Sequence, residues 1–133
     1  MSTHQIFISY AHSDAEWAQK FAENLEQLGL SVWLDRKISP GQSWVDEVEA
    51  GMRESDIFAF LIQPEKINSP SFSFELGAAM SLGKILIPVV PPGLKNHLLP
   101  SPLRRIQWLE RTSPEETARK FAQAVEVLSA QAA

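Results

Sequence analysis

The sequence contains no cysteine. That excludes disulfides, zinc–thiolate sites and cysteine nucleophiles, and it fits a reducing compartment. Long apolar runs are missing too. The longest, residues 85–92, falls far short of the roughly 20 residues that a spanning helix needs. The first residues carry no basic cluster and no signal-like apolar stretch, so the expectation is a soluble, cytoplasmic protein without a membrane partner. There is no excess of basic charge: 12 Lys and Arg stand against 16 Asp and Glu, a formal net charge of −4. An acidic chain of this kind is not built to hold nucleic acid on a basic surface. No glycine-rich phosphate loop follows the first apolar run, and no serine sits in a nucleophile-elbow motif. His4, His12 and His97 show no metal-ligand spacing, so no metal is expected.

What is present reads as one domain. At 133 residues, 44% hydrophobic and 21% charged, the chain can bury a core without staples. Residues 1–133 are taken as a single domain, which could also be a module of a longer chain. Residues 6–10 form a continuous β-prone run, the kind expected of a strand covered on both faces. Ser13 and Glu16 make a capping-box pair for a helix whose stripe is Trp17, Phe21, Leu25 and Leu28, stopped by Gly29. A second strand, residues 30–34, ends at Asp35. Turn-rich residues 37–42 lead to a helix capped by Ser43, with Val45, Val48 and Met52 as its buried stripe. A third strand spans residues 57–62, followed by a helix through Phe72, Phe74, Leu76, Ala79, Met80 and Leu82 to Gly83. Residues 85–90 make a fourth strand. Pro88 is expected near its exposed end, because proline cannot donate to a ladder. After a proline-rich connection, residues 106–109 are expected as a short fifth strand. Ser113, Pro114 and Glu116 then open a last helix that buries Ala118, Phe121, Val125 and Leu128.

Strict alternation of strand and helix implies parallel strands joined by right-handed crossovers. The expected fold is α/β, flavodoxin-like, a five-stranded parallel sheet with helices on both faces. In such sheets ligands sit beyond the carboxyl ends of the strands where the order reverses, here between the first and third. The loop after Tyr10 and residues 63–72 should therefore border one crevice. Glu75 is the only charged residue between Ile67 and Gly83, at the start of the helix that leaves this crevice. Its neighbours at helical spacing, Phe72, Ala79 and Leu82, are apolar. A carboxylate in that setting is paired, shifted in pKa or used. It equally suits the positive end of the helix dipole. The residues alone leave both readings open.

Several motifs fall in order along the chain. Phe7, Ile8, Ser9 and Tyr10 close the first strand. Asp35 ends the second, followed by Ser39, Pro40, Gly41 and Trp44. Ser69 and Pro70 precede Phe72, Phe74, Glu75 and Leu76. Together these resemble the Toll/interleukin receptor (TIR) domains, and the resemblance covers nearly the whole chain. It implies that Glu75 is the catalytic carboxylate of an NAD-cleaving member, with NAD as substrate and no resident cofactor. The products would be nicotinamide and ADP-ribose or a cyclic isomer. Tyr10, Ala11 and His12 occupy the loop that borders the ligand in that family. His12 also reads as a solvated residue at a helix start. Ser43, Trp44 and Asp35 are candidate substrate contacts, although Trp44 equally suits packing and Asp35 equally suits ending a strand. Some active relatives carry a tryptophan four residues before the glutamate; Ser71 stands here, and Phe72 is expected to supply the apolar wall, or else to be core. The loop of Lys37, Ile38, Ser39, Pro40, Gly41 and Gln42 is similar to the family's assembly loop. It implies partners that are other TIR copies, as a homo-oligomer or filament, and a sensor or effector protein in immune signalling or antiphage defence. A non-enzymatic interaction module is the alternative. A nucleoside deoxyribosyltransferase-like enzyme is a third reading. A phosphoryl-accepting receiver is disfavoured, since the first strand ends in Ser9 and Tyr10 and not in paired acids.

Overall fold

Alternating residues of each strand face opposite layers, and the two layers are filled separately. Ile6, Ile8, Ile57, Ala59, Leu61, Ile87 and Val89 share one buried cluster. Phe7, Phe58, Phe60, Ile62, Leu86 and Val90 share the other. This period of two is what a sheet covered on both faces requires. The computed structural model describes residues 4–34, 44–95 and 98–132, with side chains at all of these except 44–48, 66, 71, 131 and 132. The elements are β1 (Gln5–Ser9), α1 (Ala15–Gln27), β2 (Ser31–Leu34), α2 (Trp44–Glu54), β3 (Ile57–Leu61), α3 (Pro70–Ser81), β4 (Ile85–Val90), β5 (Leu109–Glu110) and α4 (Pro114–Ala132). Every strand pair is parallel, in the order β2-β1-β3-β4-β5. That is the expected flavodoxin-like sheet, and its order reverses between β1 and β3.

Helices α1 and α4 cover the first layer through Ala18, Phe21, Leu25, Ala118, Phe121 and Val125. Helices α2 and α3 cover the second through Met52, Leu76 and Ala79. Gly29 and Gly83 follow α1 and α3 with φ of +90° and +68°, a conformation that glycine adopts without steric cost. No described helix is long and apolar enough to cross a membrane.

Four details differ from the sequence expectation. Ser13 does not cap α1: residues His12–Asp14 form a 3-10 turn, Asp14 takes the cap position, and Glu16 pairs with Lys20 at 3.5 Å. Pro88 is buried within β4 and is not at an exposed end. Ile62 N donates to Val89 O at 2.9 Å, so the odd residues of β4 turn toward β3; Arg111 N donates to Val90 O at 2.7 Å, so the even ones turn toward β5. β5 begins only opposite Val89, so the donor Pro88 lacks would have met no strand. The fifth strand is Leu109–Glu110, because residues Ser101–Arg105 wind into a 3-10 turn that Ile106 ends. Finally, Leu28, Phe74, Met80 and Leu82 are about half exposed. Leu28 and Leu82 are C-cap residues beyond the last helical turn, while Phe74 lies opposite the core-facing stripe of α3 and Met80 on its flank, in a groove lined also by Ile85, Trp108 and Leu128. The expected turn at residues 37–42, its cap Ser43 and the side chains of Val45 and Val48 lie outside the described residues.

Candidate functional site

Ser9 is the last residue of β1. By strand parity it shares a face with Phe7, the face covered by α3. That helix starts sharply: Ser69 Oγ accepts from Phe72 N at 3.2 Å, and Pro70 occupies the first helical position, where its missing N–H removes no bond. The core-facing stripe of α3 then runs through Phe72, Glu75, Leu76 and Ala79, at spacings of three and four residues. Phe72 packs edge-on against Phe60 with centroids 5.6 Å apart. Glu75 thus occupies a position where an apolar side chain is expected, and it is only 8% exposed. Ser9 Oγ donates to Glu75 Oε1 at 3.1 Å. A buried carboxylate with a fixed donor lies at the carboxyl end of β1, beside the switch point.

The two loops expected at the crevice meet. Ser13 Oγ donates to Gln63 Oε1 at 3.0 Å, which joins the turn after β1 to the connection after β3. The same turn is held from below. Asp14 is buried, Arg111 Nη1 lies 3.0 Å from its Oδ1, and the guanidinium sits over the Trp17 ring at 5.0 Å. Chemically, such a carboxylate is pre-oriented and shielded from water. It can accept hydrogen bonds from hydroxyl groups and stabilise positive charge that develops nearby.

The family model described as TIR domain matches residues 6–125. The chain belongs to the TIR domain family. It is 28% identical over 102 residues to the 2′ cyclic ADP-D-ribose synthase AbTIR of Acinetobacter baumannii, covering 72% of this chain and spanning 38% of that enzyme's length. Among solved structures it is similar to a metazoan TIR-STING receptor from C. gigas, 26% identical with a TM-score of 0.74, over 90% of this chain and 38% of that one. It also shares the fold of the CMP N-glycosidase BcmB from Clostridium botulinum, 18% identical with a TM-score of 0.64, over 90% of this chain and 98% of that one.

In this TIR domain the other candidate residues are placed as follows. Tyr10 is half-buried against the α1 layer. Ala11 opens the 3-10 turn, its carbonyl accepting from Asp14 N at 2.8 Å. His12 is exposed in that turn. Phe72 is half-buried against the core. Trp44 is the first residue of α2, and its side chain lies outside the described residues. So do Asp35, Lys37, Ile38, Ser39, Pro40, Gly41, Gln42 and Ser43. Sequence reasoning missed Ser9 as a partner of Glu75. The signal was available: a small polar residue at the inward parity of a buried strand.

A second polar cluster lies at the opposite, amino edge of the sheet. His4 Nδ1 contacts Asp56 Oδ2, and His4 Nε2 lies 2.5 Å from Ser129 Oγ. Asp56 Oδ1 also accepts from Gln5 N at 2.9 Å. Its order imitates a Ser–His–Asp triad. Its effect is to clamp the start of β1 to β3 and α4.

Proposed function

We propose that this TIR domain is an NAD glycohydrolase in which Glu75 is the catalytic carboxylate. The observation that carries the reading is the buried Glu75 held by Ser9 at the carboxyl edge of the sheet. The similarity to a cyclic ADP-ribose synthase supports the same substrate class. In the reaction, the bond from the ribose anomeric carbon to the nicotinamide nitrogen breaks. Its electron pair stays on nicotinamide, which leaves neutral, so no strong acid is needed. The sugar becomes oxocarbenium-like, and a fixed carboxylate beside it lowers the barrier electrostatically. Water adding to that carbon, with loss of a proton, gives ADP-ribose; an internal nucleophile of the adenine half gives a cyclic isomer.

The decisive experiment is incubation with NAD, followed by chromatography of products for the wild type and for Glu75→Gln. Nicotinamide release that Glu75→Gln abolishes is the expected result. Undiminished release by that variant would overturn the assignment.

Self-assembly belongs to the same proposal. Helix α3 is apolar around most of its circumference, and Phe74 on its outer side and Met80 on its flank remain about half exposed. A helix of this kind is usually covered. We expect specific activity to rise with protein concentration; a strictly constant value would remove the assembly part and leave the chemistry. A non-enzymatic interaction module is what remains if no NAD is consumed at any concentration.

A further inference from the structure

The cluster of His4, Asp56 and Ser129 at the amino edge of the sheet can do more than clamp. Backbone bonds fix two of its three members. His4 O accepts from Ser31 N at 3.2 Å, Asp56 N donates to Gln5 O at 3.2 Å, and Asp56 O accepts from Ile85 N at 3.1 Å. Both residues are thus pinned between neighbouring strands. Ser129 stands on α4 one turn beyond Val125, which is buried in the core. Groups carried on rigid elements hold a geometry better than groups on loops do. The bonds also fix where the hydrogens are. Asp56 Oδ1 accepts from Gln5 N at 2.9 Å, while Oδ2 meets His4 Nδ1. An ionised carboxylate only accepts, so in the neutral imidazole Nδ1 carries the hydrogen. Nε2 then presents a lone pair, and Ser129 Oγ, 2.5 Å away, donates to it. A hydroxyl donating to an imidazole that a carboxylate orients is the arrangement that activates a serine, whatever its place in the chain. Ser129 is half-buried, and the side chains of His4 and Asp56 are 22% and 48% exposed, so a small reagent reaches the cluster from solution.

We infer that Ser129 is a nucleophilic serine that takes the acyl group of small, activated acyl donors. In the step, Oγ bonds to the carbonyl carbon as its proton passes to His4 Nε2. The bond from that carbon to the leaving group then breaks, and its electron pair departs with the leaving group. The imidazolium gives its proton to that group or to water, and the acyl group stays on Oγ as an ester. Position sets the class of donor. Ser129 lies in the last turn of α4, and the end of a helix is the negative pole of its dipole, which opposes an oxyanion. The tetrahedral intermediate is therefore weakly stabilised, and the leaving group has to be a good one: a phenolate, a thiolate or a phosphate, not an alkoxide or an amine. The inference does not depend on Glu75 or on NAD.

The aryl ester p-nitrophenyl acetate is the probe, and no cysteine competes for it. After brief incubation of the full chain, peptide mapping by mass spectrometry should find Ser129 acetylated roughly 100-fold faster than Ser101 and Ser113, the low end of general-base assistance. Those two serines are exposed and serve as internal controls. Ser129→Ala should lose the label, and His4→Gln should bring it down to the level of the controls. Asp56→Asn turns an acceptor into a group that can donate to Nδ1, which moves the imidazole hydrogen to Nε2; labelling should slow by about tenfold or more. That variant keeps the side-chain shape, so it carries the test even where His4→Gln loosens β1. Labelling of Ser129 no faster than of Ser101 and Ser113 would overturn the inference and leave the cluster a clamp. Selective labelling that persists undiminished in both His4→Gln and Asp56→Asn would overturn it too. Nicotinamide release plays no part in this readout, so its failure leaves the NAD-cleaving reading untouched.

Discussion

A hydroxyl group on Ser9 takes the place of the water that an exposed Glu75 would have. The carboxylate lies in the core-facing stripe of α3, where burial without a donor would cost several kcal/mol, and the 3.1 Å bond offsets part of that cost. The two substitutions at Glu75 should therefore differ. Glu75→Gln retains an acceptor for Ser9, whereas Glu75→Ala leaves the hydroxyl facing a void and should lose about 1–3 kcal/mol of stability. Both should be inactive toward NAD. Ser9→Ala is the sharper probe, because it removes this one hydroxyl donor and leaves the carboxylate in place. A hydrogen bond to a charged group is worth about 1.5–3 kcal/mol, so kcat should fall roughly 10–100-fold if the bond orients Glu75 in the transition state. Circular dichroism should stay unchanged. A kcat equal to the wild type's would show that Ser9 only fills space. Glu75 was legible in the sequence because a lone charge in an apolar helical stripe is conspicuous. Ser9 was not, because a strand's period fixes which side a residue faces and says nothing about what waits there.

Elements are set by how closely they approach, and α2 is the tightest case. A Cβ built on Gly51 would lie 2.4 Å from Trp33 Cε2. That indole in turn stacks on Phe7, with centroids 4.9 Å apart and planes 7° off parallel. Two effects of Gly51→Ala oppose one another. Alanine favours the helix by about 1 kcal/mol, while forcing a stacked ring aside typically costs about 1–3 kcal/mol. The clash should win, because Trp33 is held on its far side by Phe7, itself fully buried and stacked on Phe58 at 4.8 Å. A lowered urea midpoint with an unchanged m-value is the expected result; a raised midpoint would mean that the indole moves freely. The order of elements was readable because β3 and β4 are uninterrupted apolar runs, β1 carries one at its centre, and each helix has its own stripe. Their ends were less so. Ser13 looks like a cap by spacing, yet its hydroxyl serves Gln63. Pro88 looks like a strand end, yet β5 is too short to need its donor.

At the scale of the whole molecule, the short last strand has to be tied to the rest. β5 contributes two residues to the sheet, too few to anchor the passage into α4 by ladder bonds alone. Arg111, directly after it, makes three attachments. Its N–H extends the ladder to Val90 O at 2.7 Å, its guanidinium pairs with Asp14 at 3.0 Å, and the same group covers Trp17. Trp17 answers by donating Nε1–H to Thr112 O at 3.3 Å, and it stacks on Phe21, which meets Phe121 of α4 edge-on. One cation thus links the turn beside the candidate site, the sheet edge and the α1–α4 layer. Arg111→Met keeps much of the side-chain length but leaves the Asp14 carboxylate buried without its cation. Removing one partner of a buried pair costs about 3–5 kcal/mol, and less where the pair is partly hydrated. The Arg111 side chain retains 25% of its exposure and that of Asp14 11%, so about 2–3 kcal/mol is expected. The double variant Arg111→Met with Asp14→Asn removes both charges and should recover part of that loss. A thermal midpoint that falls in the single variant and partly returns in the double one fits an ion pair. An equal fall in both would assign the effect to lost packing over Trp17.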